Sequence, residues 1–315
     1  APLSFQQRIE PMPVTTLLDI AKANGSDAAV GLIEEVMTYS PEVSLGAART
    51  IKGLSYKTLV RTTLPTAAFR NANEGVAATK STWENRVVEC FTLNPRWECD
   101  KAVADRYEDG AQAFIALEAD GIMRAAMLTL GSQFYYGTSN DAKGFPGLLA
   151  AYDAASMVID AGGTTANTGS SVWGVKWGPK AVQWVYGSDG QLSVSDVSEQ
   201  RVLDANNNPY TAYVQELLAY PGLQVGNKFA VGRIKKLTAD SGKGLTDGLI
   251  SQFLAKFPVG YKPDVLLMSR RSRMQLQMSR TATTPTGSPA PYPQEAFGVP
   301  IQETDSILDT EALTL

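Results

Sequence analysis

The chain contains no histidine, and that absence removes the commonest general base, the commonest metal ligand and the side chain that titrates nearest neutral pH. Only two cysteines, Cys90 and Cys99, occur in 315 residues. Two thiols without histidine cannot complete the usual four-ligand zinc sites, so no metal or other cofactor is expected. The pair is expected to be buried as small apolar groups rather than joined. No apolar run approaches the length of a membrane-spanning helix, and the opening APLSFQQRIE lacks the apolar core of a secretory signal. A protein made and used in a cytosol, with no membrane partner, is expected. A basic excess is missing too: 28 Lys and Arg face 32 Asp and Glu, for a net charge of -4. Dedicated nucleic-acid binders carry the opposite sign, although a wall that encloses DNA without gripping it is compatible with this balance.

What is present suits a folded chain. Apolar residues make up 44% and charged residues 19%, which supplies a core and argues against disorder over most of the length. Ala1 to Pro13 carries prolines and no periodicity and reads as an extended arm. Thr15 to Ala23 is a short helix stopped at Asn24-Gly25, and a second follows from Ser26 or Asp27 with Val30, Leu32, Ile33 and Met37 on one face. Leu54 to Leu64 and Ser81 to Leu93 read as the strands of a long hairpin, joined by the polar, glycine-bearing tip Pro65 to Lys80. From Asp100 to Tyr135 there is no proline, and Val103, Tyr107, Phe114, Leu117 and Leu128 fall at helical spacing. Gly110, Gly121 and Gly131 each need a packing reason or mark a break in that helix, and Gly137 is placed to end it.

Beyond it the pattern turns to β, with strands expected at Val172 to Trp177, Val182 to Tyr186, Gln191 to Val194, Tyr210 to Leu218 and Lys228 to Ile234. Thr246 to Phe257 is an amphipathic helix, Val265 to Met268 a short buried strand, Ser269 to Ser279 a helix, and Thr281 to Pro293 a loop. A last strand begins near Gly298. Helices at both ends around a β-rich block indicate an α+β fold.

Chemical motifs are weak. Glu34-Glu35, and Asp105 with Glu108-Asp109, place carboxylates close together, but with no histidine and no nucleophile motif they read as solvated helix faces. Ser241-Gly242-Lys243-Gly244 falls short of a phosphate loop, because Gly244 stands where Ser or Thr is needed. Trp173, Trp177, Trp184 and Tyr186 could form a stacking platform but fit core or interface anchors better. Arg270, Arg271, Arg273 and Arg280 form a basic knot that could face nucleic acid, cap a helix or pair across a subunit boundary.

The order of elements, and several local words, resemble one family. Arg61-Thr62-Thr63-Leu64-Pro65, Phe69-Arg70, Asn73-Glu74-Gly75-Val76 and Lys80-Ser81 are similar to the hairpin-tip signature of one subfamily of phage capsid proteins. Tyr135-Tyr136-Gly137-Thr138 with Gly144-Phe145-Pro146-Gly147-Leu148 resembles the junction where the long helix of such proteins ends. Glu199-Gln200, Asp204-Ala205-Asn206 and Tyr210 are similar to its β-domain, and the stretch GVPIQETDSILDTEA to its C-terminal strand.

The resemblance is to the HK-97-type capsid fold of tailed phages. It implies an N-terminal arm (1–16), a peripheral domain (17–52, 88–149 with the long spine helix, and the return strand 290–315), an extended loop (53–87) and an axial domain (150–289). It implies a non-enzymatic major capsid protein of the virion, assembled in the bacterial cytoplasm. Its partners would be further copies of itself in pentamers and hexamers, scaffolding protein, portal protein, a decoration protein and enclosed double-stranded DNA. An encapsulin-like shell, an α+β enzyme and a β-rich binding module are the alternatives.

Five bases against two acids lie between Leu54 and Arg86, and seven acids against three bases between Glu98 and Arg124. Inter-subunit contacts are therefore expected to pair Lys57, Arg61, Arg70 and Lys80 with a field that includes Glu108 and Asp109. The isopeptide cross-link of the type member joins a loop lysine to an asparagine near the C-terminus. Lys57 and Lys80 could serve as the lysine, but the last asparagine here is Asn227, so no such bond is expected.

Overall fold

The computed structural model describes residues 38–314 except Asp153, Ala155, Leu192 and residues 285–287. The expected arm and the two helices before Thr38 lie outside the described residues, as does the Glu34-Glu35 pair. The described elements are α1 (Glu42–Leu45), β1 (Ala48–Thr50), β2 (Ser55–Thr63), β3 (Thr82–Glu89), β4 (Arg96–Asp100), α2 (Lys101–Ala104), α3 (Ala111–Tyr136), β5 (Val158–Asp160), β6 (Ser170–Val175), β7 (Val182–Tyr186), β8 (Ser193–Val194), β9 (Ser198–Leu203), β10 (Pro209–Leu218), β11 (Pro221–Val225), β12 (Val231–Leu237), α4 (Asp247–Ala255), β13 (Val265–Met268), α5 (Arg270–Ala282), β14 (Glu295–Ala296) and β15 (Val299–Glu303). This is an α+β fold. The chain divides into two compact units.

The described part of the first unit falls within Leu93–Ala126 and Leu192–Leu218. Its sheet runs β4-β10-β8, with β9 also paired to β10, and every pairing is antiparallel. Trp97 and Cys99 alternate with more exposed neighbours along β4, so one face of the strand is buried. They join Ala104, Phe114 and Ile115 in a small core, where Phe114 packs 6.4 Å from Trp97 and 5.5 Å from Tyr107 between ring centres.

The helical stretch expected from Asp100 to Tyr135 is broken, and Gly110, one of its three suspect glycines, marks the break. Asp100 caps α2 by accepting from the Ala102 amide, but α2 lasts only one turn. Gly110 then adopts φ +88°, a left-handed conformation that a continuing helix cannot contain. The long helix therefore starts at Ala111.

The second unit comprises Thr38–Thr92, Met127–Gln191 and Ala219–Leu315. Its main sheet has the order β14-β15-β13-β6-β12-β5. Strands β6 and β13 are buried at every position, as central strands covered on both faces must be. Phe253 and Phe257 of α4 and its following turn, with Leu276 of α5, pack on Ile234, Leu237 and Leu266. Thr246 and Ser269 cap α4 and α5 with their hydroxyls. A second sheet, β1-β7-β11, carries Trp184, which stacks 5.3 Å from Phe134 and meets Phe145 edge-on at 5.7 Å. Trp173 and Trp184 are fully buried, so these tryptophans are core and no ligand platform.

The C-terminal end of α3 is held by two buried carboxylates. Glu42 accepts from Tyr135 Oη at 2.9 Å, from Ser40 Oγ at 2.6 Å and from the Thr304 hydroxyl. Glu311 accepts from Tyr136 Oη at 2.6 Å, from Ser171 Oγ at 2.5 Å and from Arg233 Nη2 at 3.1 Å. Burial, reinforced by these carboxylates, pushes both tyrosines well above the ordinary phenol range, so they act as donors. Gly131, one turn earlier, is required by this packing: a Cβ there would lie 1.9 Å from Ser40 Oγ and 2.4 Å from Ser306 Oγ. Gly121 has open space around it and no comparable reason.

Candidate functional site

Strands β2 and β3 form an isolated two-stranded ribbon, in antiparallel register from Ser55 opposite Glu89 to Thr63 opposite Thr82. The alternation of Tyr56, Thr58 and Val60 with Lys57, Leu59 and Arg61 builds β2. Expected to run to Leu93, β3 ends at Glu89: Cys90 still bonds the Leu54 carbonyl opposite it, and the Phe91 amide then leaves the ribbon for the Pro221 carbonyl. The root is fixed to the second sheet: Tyr56 Oη donates to Gln224, whose amide nitrogen donates to the Pro179 carbonyl at 3.0 Å. Burial raises the Tyr56 phenol, so it too stays a donor.

Away from the root the hairpin meets little else. Leu64 is 72% exposed, Phe69 fully exposed, and Leu59, Val76, Trp83 and Val87 largely so. Lys57, Arg61, Arg70 and Lys80 are all exposed. Arg61 lies 4.3 Å over the ring of its cross-strand partner Trp83. Arg70 donates to the Glu74 carbonyl at 3.0 Å and closes the tip.

Part of the hairpin forms one wall of a groove of about 700 Å³, lined on that side by Thr58 to Thr62, Glu84 and Arg86. The opposite wall is Pro179, Lys180, Gln224, the Gly226 to Phe229 turn and Tyr261. Arg61, Arg86, Lys180 and Lys228 make it basic, against one acid, Glu84, which sits 3.7 Å from Arg86. Lys180 and Lys228 carry no sequence motif. Only the fold brings five separated stretches together here.

The other expected site residues fall elsewhere. Glu108 and Asp109 lie exposed on the turn before Gly110 in the first unit, while Asp105 accepts from Tyr213 Oη at 3.3 Å. Three of the four clustered arginines are engaged within the chain. Arg271 donates to the carbonyls of Thr168 and Asp309, at 2.7 and 3.0 Å. Arg273 donates to Pro293 at 2.6 Å and Gln294 at 3.0 Å, and lies 3.5 Å from Glu303. Arg280 makes a two-pronged contact with Asp247, which holds its charge more firmly. These three tie α5 to neighbouring segments, and Arg270 sits at an exposed position.

The Ser241–Gly244 stretch is a turn, with Lys243 N donating to the Asp240 carbonyl. Cys90 and Cys99 are unbridged, Cys99 buried and Cys90 half-buried. Among the described residues no cluster of Cys, Asp and Glu could hold a metal ion, and no helix is long and apolar enough to cross a membrane.

The family model for major capsid protein GP7 matches residues 45–314. No curated protein matches the chain. Among solved structures, the chain is similar to one from bacteriophage Epsilon15, with a TM-score of 0.68 at 18% identity over 97% of this chain and 99% of that one. Weaker likenesses are to the capsid of Myoviridae phage XM1 (TM-score 0.48, 12% identity, 67% and 97% covered) and to the SrpI encapsulin of Synechococcus elongatus (TM-score 0.48, 10% identity, 73% and 98% covered). With the family model spanning nearly all described residues and the fold matched end to end, the chain belongs to the major capsid protein GP7 family and is a shell-forming bacteriophage capsid protein of the HK-97-type fold.

Proposed function

We propose that this capsid protein assembles as pentamers and hexamers into a closed icosahedral shell around the double-stranded DNA of a tailed phage. The observation that carries this is the hairpin. A two-stranded ribbon is marginal alone, and exposed apolar side chains on this scale mark an interaction surface. Leu59, Leu64, Phe69 and Trp83 would be covered by a neighbouring subunit, whose copies also close the free strand edges.

In this reading residues 53–87 are the extended loop and lie across the neighbour's long helix. Residues 1–16 are the arm, 17–52, 88–149 and 290–315 the peripheral domain, and 150–289 the axial domain pointing at the capsomer centre. Scaffolding and portal proteins, and a decoration protein, are the further partners, met in the host cytoplasm. The protein performs no catalytic step, and Arg270 is the one arginine of its cluster proposed to face the lumen or an interface.

Charge sets register: Lys57, Arg61, Arg70 and Lys80 face the neighbour's acids. Exposed pairs contribute about 0–1 kcal/mol each, so several must act together. Reversing Arg61 and Arg70 to Glu is expected to stop assembly, followed by sedimentation and electron microscopy of protein co-expressed with its scaffolding partner, while the monomer stays folded by circular dichroism. Normal shells from the double variant would overturn the loop's role, and a wild-type protein that forms no particles would overturn the shell itself.

A further inference from the structure

We propose that the basic groove at the hairpin root is a socket for an acidic turn of a second copy of this chain, the one carrying Glu108 and Asp109. The inference rests on the shell reading above and adds to it a receiving site, with Lys180 and Lys228 as its far wall. The contact thus grips the neighbour between the hairpin and the β7–β11 sheet instead of leaving the hairpin to act alone.

The groove offers both volume and sign. It holds about 700 Å³, and four cations line it against Glu84, which is already beside Arg86. Lys180 and Lys228 stand exposed on two turns of the wall opposite the hairpin, and Arg61 and Arg86 come from the hairpin strands. A groove so lined favours an anionic occupant.

The chain itself carries such an occupant. Among the described residues the first unit holds eleven acids against five bases, and the second twenty-one bases against fifteen acids. The described parts of the two units therefore bear net charges of -6 and +6, an asymmetry that the total for the chain does not show. Within the first unit, Glu108 and Asp109 are consecutive, exposed, and followed by Gly110, around which a Cβ would meet nothing within 4 Å. That turn presents two exposed carboxylates side by side. Socket and plug are different surfaces of one chain, so their contact is heterologous. It repeats head to tail and closes into rings, the geometry a capsomer needs.

Packaged nucleic acid would be drawn by the same cations, and a charge swap separates the two occupants. The variants are Lys180→Glu with Lys228→Glu, Glu108→Lys with Asp109→Lys, and all four together, each co-expressed with the scaffolding partner at about 0.1 M salt, where charges act over roughly 10 Å. Particle yield is read by sedimentation and electron microscopy, and folding of the unassembled chain by circular dichroism. Each double reversal is expected to lower particle yield about tenfold or more, and the fourfold swap to restore it to within about twofold of wild type, because the pairing is regained with its sign inverted.

Normal yield from K180E/K228E would overturn the socket. So would a fourfold variant that folds but stays unassembled, or K180E/K228E particles of normal number that have lost only their nucleic acid. If the swap fails while R61E/R70E still blocks assembly, the socket falls and the hairpin reading stands. If wild-type protein forms no particles, both fall.

Discussion

The end of α3 and the β2–β3 hairpin use similar side chains to opposite ends. Around Tyr135 and Tyr136, two carboxylates, an arginine and several hydroxyls are withdrawn from water and paired with one another. Along the hairpin, an arginine stacks on a tryptophan in full view of solvent, with Leu64 and Phe69 exposed beyond it. The first arrangement lowers the free energy of the single chain. In the proposed assembly, the second contributes little until another chain arrives. A capsid subunit needs both, since a monomer that satisfied every surface by itself would have no drive to assemble.

Substitutions can break that contrast. The largest effect is expected at Glu311→Ala, which leaves Arg233, 1% exposed, without its charged partner. Orphaning one member of a buried ion pair costs about 3–5 kcal/mol. Chemical denaturation should show that loss in the unassembled protein, and an unchanged midpoint would mean the buried cluster does not hold the unit together. At the other pole, Trp83→Ala should change monomer stability by no more than about 0.5 kcal/mol, as at other exposed sites, yet lower particle yield. A large loss of monomer stability would show that the hairpin is integral to the folded chain. The smallest effect is expected from boiling mature particles in denaturing detergent, which should release one band near 33.8 kDa. The last asparagine, Asn227, precedes β12, and none follows it to accept a loop lysine. A ladder of covalent oligomers would place the acceptor elsewhere.

The two regions also differed in how far the sequence revealed them. Strand β2 was legible to within a residue at each end, and β7 to the residue, because β-branched and aromatic side chains between turn residues leave little alternative. The hairpin cations could be named for the same reason, as a local pattern exposes them. Strand β4 was missed: Arg96 to Asp100 is five residues with three charges, and pairing with β10 creates it. The break at Gly110 was one of two outcomes open to that glycine, and Gly121, equally suspect, stayed helical. Glu42 carries no local sign of its burial, since its partner Thr304 lies 262 residues away. Lys180 and Lys228 were invisible as site residues because their groove is assembled from five separated stretches.

That separation between Glu42 and Thr304 has a consequence for synthesis. A ribosome adding about 5–20 residues per second needs roughly 10–50 s to travel from one to the other. Throughout that interval the Glu42 carboxylate stays hydrated, and its segment cannot settle against the end of α3. The hairpin, by contrast, is complete within some 35 residues of chain and can form as soon as it emerges. The nascent polypeptide thus presents its adhesive element early and its closed body late. On a polysome, where neighbouring copies are at high local concentration, this order favours premature contact between chains, and a chaperone would have its greatest value in that window.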